Sequence, residues 1–171
     1  MLETLNKFLK NKGYCSVNLF FLETKHYLIE AKVNSINGRF ILDTGASNSC
    51  ICTSLEDKFK VISIENKEKA SSANSEMTYT KISKSNTVQI GKWEDKINLI
   101  TFDMNHINSA LSDKQINPID GIIGADILKR SKAILDYKSN KLYLKLWFNQ
   151  FKNIWHGIFY KYISTRNNKT N

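Results

Sequence analysis

The chain has 171 residues, of which 42% are hydrophobic and 24% are charged, with a single proline. This composition predicts one globular domain with its own core and excludes wholesale disorder. The longest apolar run, Leu19–Leu22, is far shorter than the roughly 20 residues of a membrane span. The N-terminus also has no apolar stretch long enough for a signal peptide. Three cysteines are too few for a disulfide framework, so we expect a reducing, cytoplasmic setting.

The net charge of +9 is spread along the chain rather than gathered in one stripe. Residues 1–42 carry 6 basic and 3 acidic groups, residues 43–146 carry 15 and 13, and residues 147–171 carry 4 and 0. Nucleic-acid binding requires a concentrated basic patch, so we expect no nucleic-acid partner. The three histidines stand far apart and Cys50-x-Cys52 has no second pair, which favours buried small hydrophobic residues and predicts no metal or other cofactor.

The first third of the chain passes from a helix to strands. Apolar residues at helical spacing, followed by Gly13, predict an amphipathic helix within residues 1–13 that lies over one end of the domain. Short runs rich in β-branched and aromatic residues predict strands at Ser16–Leu22, Tyr27–Val33 and Arg39–Leu42. Asn37-Gly38 predicts a tight hairpin turn between the last two strands.

Most of the remaining chain also has the pattern of short strands. Further strands are predicted at Ser49–Thr53, Val61–Ile64, Thr87–Ile90, Ile97–Phe102 and Gly121–Gly124, with a closing hairpin at Ala133–Leu146. The polar stretch Lys69–Lys84 predicts a long exposed hairpin. Helical segments are predicted at Ser54–Asp57, His106–Leu111 and Ala125–Arg130. Many short strands with few helices indicate an all-β barrel or sandwich.

Residues 147–171 have a different composition, with seven aromatic residues and a net charge of +4. Their apolar side chains fall on one helical face. Three interpretations stay open: a helix packed on the domain or across a dimer, a helix on a membrane surface, or a contact with another protein from a poorly ordered extension.

The segment most informative about chemistry is Phe40–Ser47. An apolar strand delivers Asp43 to a rigid place, and Thr44 follows with a hydroxyl group. Gly45 allows a tight turn and a close approach of a ligand. The small residues Ala46 and Ser47 leave backbone N–H groups free to hold a carboxylate.

A single aspartate of this kind is a weak catalyst, whereas two that face each other share one proton and titrate as a pair. The ionised member can then take a proton from water while the protonated member polarises a carbonyl. The chain contains one Asp-Thr-Gly. It can therefore supply two such carboxylates only as a two-fold symmetric dimer with the loops on the axis.

Two motifs together resemble those of a known family. Asp43–Ser47 resembles the active-site loop of aspartic proteases, and Gly121–Leu128 resembles the second signature of the retropepsin-like (retroviral-type) branch. Ile134–Tyr137 is similar to the closing strand of its bacterial members. The resemblance covers roughly residues 14–146. It implies an all-β, closed retropepsin-like barrel with a flap hairpin, one short helix near the C-terminal end of the core, and short helical extensions at both ends.

The resemblance also implies roles for matching positions. Asp43 of each protomer would be catalytic, with Thr44 and Gly45 supporting the loop. Peptide or protein substrate would bind as an added strand. The substrate-binding residues are then expected along the active-site loop, on the second signature and at the flap: Ala46, Ser47, Ile122, Ser72, Ala73 and Asn74. The domain division is an N-terminal helix (1–13), the protease domain (14–146) and a basic aromatic extension (147–171).

Some features depart from the family pattern. The flap stretch Ala70–Glu76 has no glycine, and Ala125 stands where viral enzymes have an arginine. Both ends are extended, whereas terminal strands interleave in the viral dimers, so we expect a differently built interface. Asp126 is interpreted as a helix-start charge rather than a second catalytic acid. The alternative to an aspartic endopeptidase is a dimeric peptide-binding module with the same fold and no turnover, and a third possibility is a membrane- or nucleic-acid-associated basic protein that uses the tail.

Overall fold

The computed structural model describes residues 3–65, 71–72, 75–76 and 81–147. The described helices are short and lie at the edges of the strand framework: α1 (Leu5–Asn11), α2 (Glu56–Phe59), α3 (Asn105–Ser112) and α4 (Ala125–Arg130), with a 3₁₀ turn at Thr53–Leu55. None of these helices is long and apolar enough to cross a membrane.

The strands of the described residues form three sheets. In chain order they are β1 (Tyr14–Asn18), β2 (Phe20–Phe21), β3 (Tyr27–Val33), β4 (Ile36–Leu42), β5 (Cys50–Cys52), β6 (Ile64–Glu65), β7 (Ser71–Ser72), β8 (Ser75–Glu76), β9 (Lys81–Ile90), β10 (Trp93–Phe102), β11 (Gly121–Ile123), β12 (Ile134–Asp136) and β13 (Lys141–Lys145). The largest sheet has the order β2-β3-β4-β11-β5-β10-β9-β6, and a second sheet has the order β1-β13-β12. The predicted all-β architecture is confirmed.

Six strands of the largest sheet close into a barrel. Strands β3, β4, β11, β5, β10 and β9 are neighbours in that order, and β9 pairs back with β3 through Lys32↔Gln89 and Val33↔Val88. Closure removes the free edges that an open sheet would present. The long strands β9 and β10 form one antiparallel ribbon joined by a turn at Gly91, as the sequence predicts.

The barrel core and a second core lie on opposite faces of the same strands. Along β3, Ile29, Ala31 and Val33 point into the barrel, while Leu28 points to the other side. That side is covered by α3, which contributes Leu111. Successive strand residues point to opposite faces, so one strand serves both cores when both of its faces are apolar.

The positions of β4 and β11 determine where the chemistry can lie. The two strands are parallel, with Phe40↔Gly121, Ile41↔Ile122 and Leu42↔Ile123 in register. They therefore end at the same edge of the barrel. The residues that follow them, Asp43 and Gly124, emerge side by side.

The hairpin turn between β3 and β4 is not at Asn37-Gly38, and that prediction is wrong. The turn is at Asn34-Ser35, whose φ angles are +48° and +71°. The Asn34 amide donates to the Phe59 carbonyl oxygen at 2.9 Å, which helps to hold this conformation. Gly38 lies within β4, where a Cβ atom would approach the Phe40 and Phe59 rings to 2.7 and 2.8 Å. This glycine accommodates two aromatic rings rather than a turn.

Two other predicted elements differ in extent. The predicted strand Ser16–Leu22 is divided at Leu19 into β1 and β2, which belong to different sheets. The N-terminal helix is shorter than residues 1–13 and buries Leu9, while Leu5 and Phe8 are 48% and 46% exposed. The predicted helical extension in residues 147–171 lies, apart from Trp147, outside the described residues.

Replacing Gly121 by alanine tests the close packing at the centre of the β4–β11–β5 region. A Cβ atom at position 121 would lie 2.1 Å from the Cys50 carbonyl oxygen, so backbone must move. We expect Gly121→Ala to lower the free energy of unfolding by about 3 kcal/mol or more in urea denaturation. Ser112→Ala, at an exposed helix end, is the control and should change it by less than about 0.5 kcal/mol. Equal effects of the two substitutions would contradict this account of the packing.

Candidate active site

Asp43 is held at the barrel edge by backbone and loop hydrogen bonds. Its N–H donates to the Ile123 carbonyl oxygen at 3.0 Å, which continues the β4–β11 ladder by one residue. The Asp43 Oδ1 atom accepts from the Gly45 N–H at 2.8 Å. The side chain is half-buried, while Thr44 and Gly45 are exposed. The carboxylate is thus fixed in orientation at a surface that a second molecule can reach.

The far side of the loop is tied to the start of α4. The Ala125 N–H donates to the Ala46 carbonyl oxygen at 2.8 Å. A Cβ atom at Gly124 would lie 2.8 Å from that same oxygen and from the Asn48 backbone, so only glycine fits there. The glycine that ends the second predicted motif is therefore explained by its contact with the Asp43 loop.

A buried serine and an aspartate lock the two motifs together. Ser49 is fully buried, and its Oγ accepts from the Gly124 N–H at 2.9 Å while donating to Asp126 Oδ1 at 2.6 Å. The same Asp126 oxygen accepts from the N–H groups of Ser49 at 3.0 Å and Ile127 at 2.8 Å. This agrees with the interpretation of Asp126 as a helix-start charge. Sequence reasoning did not single out Ser49, although a hydroxyl residue just after the loop was visible.

A small apolar cavity adjoins the loop on the side of Thr44. It has a volume of about 240 Å³ and is lined by Leu42, Thr44, Ala125, Leu128, Lys129, Ala133, Leu135 and Leu142. We call it the Thr44 cavity. A larger cavity of about 910 Å³ lies at the opposite end of β4, beside Asn37, Arg39 and Asp120. It is remote from the loop along the strand, so size alone does not locate the site.

This arrangement of an aspartate loop beside a hydrophobic-Gly strand matches a known family. Residues 29–127 match the family model described as aspartyl protease. The chain belongs to the aspartyl protease family. No curated protein matches the sequence significantly.

Solved structures support a retropepsin-like fold for this member of the aspartyl protease family. A retropepsin-like aspartic protease from Rickettsia conorii is 20% identical, with a TM-score of 0.52 over 78% of this chain and 90% of that chain. The EIAV protease complexed with the inhibitor HBY-793 is also 20% identical, with a TM-score of 0.51 over 68% of this chain and 97% of that chain. At these identities the likeness concerns the fold alone.

The other predicted site residues are placed to different degrees. Ala46 is half-buried and Ser47 exposed on the loop. Ile122 is half-buried and packs against the second core beside Ile41. Ser72 lies in β7, which pairs with β8 as a predicted hairpin does. Ala73 and Asn74, at its tip, lie outside the described residues.

Cys50 lies next to the site in β5 but is not a nucleophile in this environment. Burial is the largest influence on its thiol, and the nearby Asp126 and Asp43 carboxylates add to it. Together they raise the pKa of Cys50 to about 12, against the opposing effect of a backbone hydrogen bond from Ile122. The reactive form of cysteine is the thiolate, so this thiol is inert near neutral pH. Within the described residues, no group of three His, Cys, Asp or Glu is placed to hold a metal ion.

Removing the Ser49 hydroxyl tests the lock between loop and helix. Ser49→Ala leaves the buried Gly124 N–H without its acceptor and removes one donor from Asp126. We expect the free energy of unfolding to fall by about 1–3 kcal/mol in urea denaturation. Ser47→Ala, on the exposed side of the same loop, should stay within about 0.5 kcal/mol of the parent. A similar loss in both variants would show that the lock contributes nothing specific.

Proposed function

We propose that the protein is an aspartic endopeptidase whose catalytic dyad consists of Asp43 from each of two identical chains. The observation that carries the proposal is the placement of one half-buried Asp43, oriented by Gly45, at an accessible edge of a barrel of the aspartyl protease family. The second carboxylate nearby, Asp126, is engaged by Ser49 and Ile127 and is not available for catalysis. The missing acid must then come from a second copy.

The proposed chemistry follows from bringing two Asp43 carboxyl groups within a few ångströms. Two such groups cannot both ionise easily, so the pair holds one proton. The ionised carboxylate takes a proton from a water molecule held between them, and the water oxygen attacks the peptide carbonyl. The protonated carboxyl group donates to the carbonyl oxygen as negative charge develops there. Proton transfer to the amide nitrogen then releases the amine without a covalent intermediate.

The neighbours of Asp43 have supporting roles in this proposal. Gly45 holds the carboxylate through its N–H group. Thr44 is exposed beside it, where its hydroxyl group can bond across a two-fold axis. Substrate is an extended peptide that adds as a strand, with Ala46, Ser47 and Ile122 bordering its side chains. The β7–β8 hairpin and its tip, Ser72–Asn74, would cover the peptide from the other side.

Two further assignments stay proposals. The domain division at residues 14 and 146 is supported by β1, which begins at Tyr14, and by the hydrogen bond from the Leu146 N–H to the Gly13 carbonyl oxygen at 3.0 Å. A cytoplasmic location is supported by three free cysteines, Cys15, Cys50 and Cys52.

Replacing Asp43 by asparagine tests the proposed chemistry. Asparagine keeps the size of the side chain but cannot take up or release the proton, so we expect peptide cleavage to fall at least about 1,000-fold. The assay is digestion of a peptide library across the acid range, with and without an aspartic protease inhibitor. Sedimentation should show an unchanged mass for Asp43→Asn, because the substitution leaves the fold intact.

The control for this substitution is Asp113→Asn, at the exposed end of α3, which should cleave like the parent. Cleavage that survives in Asp43→Asn would refute the mechanism. A parent protein that binds peptides but cleaves none at any acid pH would favour the silent peptide-binding module.

A further inference from the structure

The sheet β1-β13-β12 has two outer edges. Strand β13 lies in the middle and pairs with β1 over five residue pairs and with β12 over three. In the part of the chain that the structure describes, no strand pairs with the outer side of β12. The terminal strands of one chain are thus already paired with each other. Interleaving them with those of a second copy would require breaking that pairing.

The hydrogen-bond pattern shows which backbone groups β12 presents at its outer edge. The Leu146 N–H donates to the Gly13 carbonyl oxygen, and the Leu19 N–H to that of Asn140, so alternate residues of β13 bond to β1. The intervening residues Lys141 and Tyr143 face β12, where their partners are Asp136 and Ile134. The N–H and C=O groups of Leu135 therefore point outward.

The side chain of Leu135 connects this edge to the catalytic loop. It is half-buried and lines the Thr44 cavity together with Thr44 itself. The cavity is mostly apolar and open to the surface, so it is only half of an enclosed space. The surface around Leu135 and the surface that carries the Asp43 loop are therefore continuous.

We propose that β12 is the dimerisation edge: the β12 strands of two copies pair antiparallel about a two-fold axis at Leu135. The result is a six-stranded sheet of order β1-β13-β12-β12-β13-β1 beneath the two Asp43 loops. Each Leu135 helps to close the Thr44 cavity of the other copy. This inference rests on the proposed function for the requirement that two Asp43 loops share an axis.

A second copy fits this edge better than an unrelated strand. Two-fold pairing at Leu135 satisfies the outward N–H and C=O groups of both chains with each other. The register places Ile134 opposite Asp136 of the partner subunit, so no like charges face each other directly. The Asp136 carboxylate is already bound within its own turn by Lys138 N–H at 3.0 Å and by the Ser139 hydroxyl at 2.5 Å. It therefore needs no partner from the other chain.

Proline substitution at each outer edge of the sheet tests the proposal in the full chain. Leu135→Pro removes the outward N–H of β12 without removing a hydrogen bond within the chain. Ser16→Pro does the same at the outer edge of β1, because Cys15 and Val17 are the β1 residues bonded to β13. In sedimentation equilibrium we expect Leu135→Pro to weaken dimerisation at least about tenfold and Ser16→Pro to leave it unchanged.

Cysteine substitution keeps the test decisive even if a proline variant fails to fold. Residues paired directly across hydrogen-bonded antiparallel strands have Cα atoms about 5.5 Å apart, within disulfide range. Mild oxidation of Leu135→Cys should therefore give a covalent dimer on a non-reducing gel. Ser16→Cys and the parent, whose Cys50 and Cys52 are buried, should give none.

The outcomes separate this interface from the proposed function. Dissociation or cross-linking through position 16 instead of 135 would overturn the interface, as would a parent that is monomeric at all concentrations. Slow hydrogen exchange at the Leu135 amide in dilute, monomeric protein would also overturn it, since residues of the same chain would then cover the edge. A dimer that cross-links through Leu135→Cys but cleaves no peptide would support the interface while refuting the peptidase.

Discussion

The parallel pairing of β4 with β11 is the constraint on which the rest of the site depends. These strands come from distant parts of the chain, and their register brings Leu42 beside Ile123. The pairing is possible only because residue 121 has no side chain, since a Cβ atom there would collide with the Cys50 carbonyl oxygen. Parallel strands end at the same edge, so Asp43 and the start of α4 meet without any further device.

The two aspartates at this edge receive different environments and so different roles. One oxygen of Asp126 accepts three hydrogen bonds and belongs to the framework. Asp43 accepts a hydrogen bond from Gly45 and lies next to exposed loop residues. One chain thus provides one carboxylate for chemistry and one for rigidity. This division supports a dyad assembled from two copies, and it directs attention to the surface that continues from Thr44 to Leu135.

Local patterns predicted those parts of the fold whose cause is local. Strand β3 has its predicted ends, and α4 begins and ends where Ala125–Arg130 predicts, because hydrophobic periodicity and β-branched content act over a few residues. The Asn37-Gly38 turn failed because Gly38 is needed for space beside Phe40 and Phe59, a requirement that exists only after the chain folds. The Ser49 lock was missed for the same reason, since its partners Gly124 and Asp126 lie far along the chain.

The sequence by itself determined the class of the protein and its reactive group. An apolar strand running into Asp43-Thr44-Gly45, with a second hydrophobic-Gly motif downstream, is readable because each motif is a short contiguous pattern. Only the tertiary structure decided that β9 closes on β3, that Asp126 is bound while Asp43 stands at a reachable edge, and that β12 carries an unpaired side within the described residues. These are relations between segments far apart in the chain, and the free energy that selects them comes from burial and hydrogen bonding across the whole barrel.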